Sequence, residues 1–284
     1  MPQCNTLVRG LTHEVDLRYV LADVTAAAQT AQENHELNSS AAKFCTEALI
    51  ASALLANQIK GEERLTVMLA ADFPRFTFMA DVSAEGQLRA KLSPATLIDS
   101  PIVIGQLQVI KHNKRKELYR GVTDLNNQSI EDAMRHHLQQ SAQVANLLRI
   151  CCIQDSNGKV MRATGLLLEW LPPTKQFEVL SQDEFEAEYA DLHTLPSAQV
   201  IEMIDSGKLM GHDLFPLETI ETTWTCTCSR ERVERMLTSL GEEELKDMLQ
   251  TDGQAEVCCD FCNSKYHFDA SALGQLIDQL AATT

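Results

Sequence analysis

Four of the nine cysteines in this 284-residue chain, Cys226-Thr-Cys228 and Cys259-Asp-Phe-Cys262, are spaced for chemistry. Cysteine pairs at short spacing, brought together across a small helical insert, can close a tetrahedral Cys4 site for one zinc ion. Such a site has no open coordination position, so it does not activate water as a three-ligand catalytic zinc does. Its sulfurs bind as thiolates, the form that oxidants attack. Each close pair can become a local disulfide by way of a sulfenic acid, displacing the metal. The residues alone leave two readings open, a structural zinc-ribbon interaction module and a thiol switch. A third, a thiol–disulfide oxidoreductase using Cys259 and Cys262, lacks the βαβ context of a redox-active Cys-x-x-Cys.

Other elements must bring the pairs together. Val233, Met236, Leu237 and Leu240 recur at helical spacing, and Gly241 is placed to end that helix. Leu245, Met248 and Leu249 predict another turn or two of helix before Asp252-Gly253. Residues 255–257 and 265–268 read as short strands flanking the second pair, and Leu273, Leu276, Ile277 and Leu280 as a closing helix. This tail has few large apolar side chains for its length, so a metal is expected to supply the deficit. Structural zinc contributes ~10–16 kcal/mol in small peptides, against ~5–15 kcal/mol for the whole stability of a typical domain. A four-thiolate site is anionic, and Arg230, Arg232, Arg235 and Lys265 are near enough in sequence to offset it.

Upstream, residues 23–33 and 41–60 read as helices, and 65–69, 75–79 and 88–92 as strands. Residues 102–110 and 117–122 suggest a hairpin around the basic loop 111–116. A helix is expected over 129–148, then strands over 147–154 and 161–171. The expected fold class is α+β, in three parts. Residues 1–172 form an antiparallel sheet and helix domain, 173–221 an acidic, partly helical linker, and 222–284 a small zinc-binding domain. In the linker, Phe185, Tyr189 and Leu192, and then Val200, Ile201 and Ile204, form apolar stripes among mutually repelling carboxylates. The expectation there is an ordinary solvated linker with two helices.

Other candidates are weaker. Cys151 and Cys152 are adjacent in a predicted strand, so they point to opposite faces; with Cys45 they read as buried structural thiols. Cys4 reads as incidental. His136 and His137 lie in a helix with one or both facing solvent, and His267 reads as a strand-surface residue. No phosphate-binding glycine loop, zinc-protease motif or nucleophile elbow occurs, so no catalytic residue is expected.

Net charge is −16, and its distribution is uneven. Residues 1–172 carry 17 basic and 18 acidic side chains, whereas 173–221 carry 2 and 11, and 222–284 carry 5 and 11. An acidic zinc module lacks the basic face that nucleic acid requires. The longest uncharged apolar run, Ala48–Ala56, is far short of the ~20 residues of a membrane helix. Charged residues from Arg9 to Arg18 interrupt any secretory core, so a reducing compartment, the cytoplasm, is expected.

The stretch Cys226-Thr-Cys228-Ser-Arg-Glu-Arg232, with Cys259-Asp-Phe-Cys262 at its distance downstream, resembles a known family, the redox-regulated heat-shock holdase chaperones or thirty-three-kilodalton chaperonins. The resemblance extends through Tyr119-Arg-Gly-Val122, Gln140-Ser141-Ala-Gln143, Gly165-Leu-Leu-Leu168 and Leu171-Pro172. It implies an N-terminal α+β domain, a linker that can unfold and a C-terminal zinc domain. Cys226, Cys228, Cys259 and Cys262 are implied as zinc ligands in the idle form. Oxidants are implied to convert Cys259/Cys262 and then Cys226/Cys228 to disulfides, expel zinc and expose apolar surface. The resemblance further implies that unfolding client proteins are held there without ATP, commonly by a homodimer. Cys258, directly before a ligand position, departs from the family pattern and can compete for the metal.

Overall fold

The computed structural model describes residues 5–12, 17–142, 145–170 and 182–283, so Cys4 and Pro172 lie outside the described residues. The chain forms two compact units, Met1–Thr225 and Cys226–Thr284.

The first unit begins with β1 (Thr6–Thr12), β2 (Leu17–Asp23), α1 (Thr25–Asn34) and α2 (Ser39–Leu55). Five strands follow, β3 (Arg64–Phe73), β4 (Arg75–Ser83), β5 (Gln87–Ser93), β6 (Val103–His112) and β7 (Glu117–Gln128). Next come α3 (Ile130–Ala142), β8 (Asn146–Gln154) and β9 (Val160–Trp170). The helix expected over 129–148 thus gives way to strand at Asn146, where β8 begins to pair with β9. The described acidic segment supplies α4 (Gln182–Glu188), a 3-10 turn (Ala190–His193), α5 (Ser197–Ser206), β10 (Lys208–Leu209) and β11 (His212–Glu221), before β12 (Thr223–Trp224).

Thirteen of the 17 residues of α2 are buried, among them Ala48, Leu49, Ile50 and Leu54. A helix apolar all round must be covered all round. Two six-stranded sheets do this, β10-β11-β1-β2-β9-β8 and β12-β5-β4-β3-β6-β7, antiparallel except for β12 beside β5. Val20, Leu148 and Leu167 of the first sheet share one core with α2 and with Val67, Phe78 and Leu107 of the second. Asn38 caps α2, its Oδ1 accepting from the Ala41 N–H at 2.9 Å. Gly165 lets α2 settle on β9, because a Cβ there would come within 2.3 Å of Ile50 Cγ2.

The first sheet is buried on its other face as well. Leu17, Tyr19, Leu147, Cys151, Leu166 and Leu168 pack there against Phe185, Tyr189, Leu192, Val200, Ile201 and Ile204. The apolar stripes therefore share a core rather than lying on a solvated linker, because the sheet offers them a second apolar face. β11 then pairs with β1 as an integral strand.

His137 is buried and points inward, while His136 is half-buried, so of the two it is His136 that reaches the surface. The Nδ1 of His137 lies 3.0 Å from Thr123 Oγ1 of β7, and its Nε2 is buried without a hydrogen-bond partner. Burial, aided by His136, holds its pKa below the ordinary histidine value. The unfolded chain takes up this proton below about pH 6.5, so the folded state loses stability as pH falls through that range. Glu47 acts in the opposite sense, burial pushing it up to about 7. His137→Leu should therefore lose less of its urea midpoint between pH 7 and pH 5 than the parent; parallel losses would contradict the assignment.

The second unit comprises α6 (Arg230–Ser239), α7 (Glu242–Thr251), β13 (Gln254–Cys258), β14 (Lys265–Asp269) and α8 (Ala270–Thr283). Val233, Leu237, Leu245, Phe268, Leu273 and Leu276 are its buried apolar residues. Gly241 (φ 98°) separates α6 from α7, a conformation that disfavours other residues. Among the described residues no helix is long and apolar enough to cross a membrane.

Candidate metal centre

Two local structures present the four sulfurs. Cys226 and Cys228 lie on the extended chain leading into α6, whose N-cap Ser229 accepts from the Arg232 N–H. Cys259 and Cys262 lie in the tight turn between β13 and β14. There Cys259 N–H donates to Ser264 O and Asn263 N–H to Cys259 O, both at 2.9 Å, and Asn263 adopts φ 54°. All four sulfurs fall within 4.8 Å of one another and all four residues are half-buried. Close approaches run between the motifs, Cys226 to Cys259 at 3.6 Å and Cys228 to Cys262 at 3.3 Å. A tetrahedral zinc with Zn–S of about 2.3 Å separates its sulfurs by about 3.8 Å. The donor set and its spacing fit such an ion.

The local electrostatics suit thiolates. Burial tends to raise Cys262, but hydrogen bonds from the Ser264 side chain and backbone and from the thiols of Cys228 and Cys226 outweigh it and bring it down to about 6. Burial pushes Cys228 up to about 12, partly opposed by the Tyr266 hydroxyl, which donates to its sulfur at 3.1 Å. Burial also raises Cys259, against hydrogen bonds from the Phe261 and Cys262 backbone. One thiolate thus forms readily while Cys228 and Cys259 are held toward their protonated forms, a mutual constraint that a cation relieves.

Three of the four charge-offsetting residues expected from sequence are engaged elsewhere. Arg230 lies over the Phe268 ring at 4.3 Å, Arg232 donates to the Thr227 carbonyl at 2.9 Å, and Lys265 pairs with Glu256 at 3.0 Å. Backbone N–H groups, Ser264 and Tyr266 serve the sulfurs instead. Neither side chain has a metal-ligand type or spacing, so neither is legible in the sequence. Cys258 is exposed and outside the four-sulfur group, its thiol 3.6 Å from Asn263 Oδ1. His267 faces Gln254 across the hairpin at 2.9 Å. Cys45 and Cys151 are buried, and Cys152 is half-buried; burial raises all three thiols, which suits packing rather than reactivity.

Comparisons with known proteins point the same way. A 33 kDa chaperonin from Syntrophotalea carbinolica is 29% identical, covering 95% of this chain and 98% of the relative. The 33 kDa chaperonin of Bacillus subtilis is 26% identical over 96% and 98%. The crystal structure of the 33 kDa chaperonin of Thermotoga maritima superposes with a TM-score of 0.84, at 21% identity, covering 99% of this chain and 100% of that one. The α+β fold is thus shared with a solved chaperonin structure. The family model described as Hsp33 protein matches residues 5–269, nearly the whole chain, and the chain belongs to that family.

Proposed function

We propose that this protein is a chaperone that holds unfolding client proteins, uses no ATP, catalyses no reaction and is switched by oxidation of four cysteines. The observation that carries the reading is the convergence of Cys226, Cys228, Cys259 and Cys262 in a unit with six buried apolar residues. In the idle state the four thiolates would hold one Zn2+, which supplies a structural cross-link. Cys262 or a neighbouring thiolate attacks hydrogen peroxide, giving a sulfenic acid and water. The second thiol of the same motif displaces a further water and closes the disulfide, so two electrons pass from the cysteine pair to one peroxide. Bonding Cys259 to Cys262, and Cys226 to Cys228, at about 2.05 Å removes the four thiolates as ligands.

In this reading 222–284 is the switch and 1–172 the chaperone core, and within the linker 173–221 the stretch 182–206 is the releasable cover. Departure of 182–206 bares Tyr19, Leu147, Leu166 and Leu168, an apolar face suited to clients. A homodimer in the oxidised state and residence in a reducing compartment such as the cytoplasm complete the proposal. The test follows zinc with a chromogenic chelator while light scattering monitors a heat-unfolding client. Peroxide should release one zinc per chain, and scattering should fall only afterwards. Full suppression by the reduced, zinc-loaded protein would overturn the switch, and no suppression after zinc loss would overturn the chaperone reading.

A further inference from the structure

Along β8 the side chains of Leu147, Arg149, Cys151 and Ile153 share the face turned to the acidic segment, while Leu148 and Ile150 face α2 and the main core. Arg149 thus stands in a row of apolar residues, and it is 6% exposed. Its Nη1 donates to the Leu192 carbonyl, its Nη2 to the Leu195 carbonyl at 2.9 Å, and its Nε lies 3.4 Å from Glu131 Oε1. The other oxygen of Glu131 accepts the Ile150 N–H at 2.6 Å. β8 is the last strand of its sheet, so Glu131 both occupies a free edge donor and steadies the guanidinium.

The two carbonyls belong to the junction between the 3-10 turn and α5. The next residue, Pro196, has no N–H, and helical hydrogen bonding does not continue across the break. A planar guanidinium with five donors can serve two such carbonyls at once, where an ammonium is a single point. The side-chain tie from Arg162 to Asp205, at 2.9 Å, is more exposed and therefore weaker.

We propose that Arg149 is a positioning residue whose guanidinium, steadied by Glu131, grips the Leu192 and Leu195 carbonyls and sets how readily the acidic segment leaves the first sheet. The inference rests on the reading that departure of this segment exposes the client surface, and it assigns the residue that regulates that step. Without Arg149 the segment keeps its apolar contacts and loses the donors at its break, so it opens locally more often.

The test is amide hydrogen exchange on full-length, reduced, zinc-loaded protein, without oxidant or client, comparing the parent with Arg149→Met and Arg149→Lys. Arg149→Met retains most of the stem and should speed exchange over 185–204 about tenfold or more. Exchange in α2, β9 and Cys226–Thr284 and the zinc content should stay at parental values. Arg149→Lys, the conservative change expected to fold, should show a smaller loss in the same stretch. Parental protection over 185–204 in either variant would overturn the proposal, as would a uniform loss throughout the first unit. A negative result removes the grip and leaves the thiol switch standing. Failure of peroxide to release zinc would instead remove the switch without touching the exchange result.

Discussion

Chelation of the metal from the reduced protein should unfold Cys226–Thr284 while leaving Met1–Thr225 folded. The second unit has a small core, Val233, Leu237, Leu245, Phe268, Leu273 and Leu276, beneath three short helices and a two-stranded hairpin. A structural zinc contributes ~10–16 kcal/mol in small peptides, as much as or more than the whole stability of an ordinary domain. With the ion gone, four half-buried thiols are left packed together without the charge that draws them in. NMR of the chelated, reduced protein should show collapsed amide dispersion for α6, α7 and α8 and unchanged shifts for α2 and β9. Cys228→Ser should give the same spectrum without chelator, while Cys258→Ser should keep its zinc and its fold. A chelated second unit with native dispersion would show that its apolar core suffices, and the role given to the metal would fail.

Ile204→Asp should convert the zinc-loaded, reduced protein into an active holding form. Ile204 is 3% exposed and lies in α5 with Val200 and Ile201 against the first sheet. An uncompensated buried charge costs about 3–5 kcal/mol, more than a short segment with other carboxylates around it can absorb. The segment should come away rather than carry the carboxylate inward, whereas the core around α2 does not involve Ile204. Client scattering should fall several-fold without oxidant, dye binding to apolar surface should rise, and zinc content should hold. Glu202→Gln, on the exposed side of the same helix, should behave as the parent. A silent Ile204→Asp protein with demonstrably released α5 would exclude this sheet face as the client surface.

Much of the candidate metal centre is legible in the sequence because metal-ligand chemistry is tied to residue type and short spacing. The four cysteines converge as their spacing suggests, and the helices and hairpin that present them follow ordinary periodicity. Tyr266 and Ser264 were hidden because an aromatic residue in a strand and a serine after a turn have many ordinary uses. The first unit is legible in α1, α2 and β3–β7, where apolar periodicity and turns are local. β1 and β2 are not legible in the sequence, for a physical reason. The first sheet is covered on both faces, so Leu17, Tyr19, Val20, Leu21 and Ala22 are all buried and the two-residue alternation is lost. β11 escaped because Gly211, Pro216 and its carboxylates read as interruptions, while its partner β1 is about two hundred residues away. The same distance explains why 173–221 read as a solvated linker: the surface that orders its stripes is supplied by strands from both ends of the first unit.

The chain after α5 runs through β11, hydrogen-bonded to β1, and then β12, hydrogen-bonded to β5 of the other sheet. In the proposed open state, residues 182–206 would stay moored downstream through β11 and β12, one in each sheet. Their return is a unimolecular recapture at the high effective concentration of a short leash. Once a reductant has reopened the proposed disulfides and zinc has rebound, the tethered segment can cover the sheet face again without being recaptured from solution.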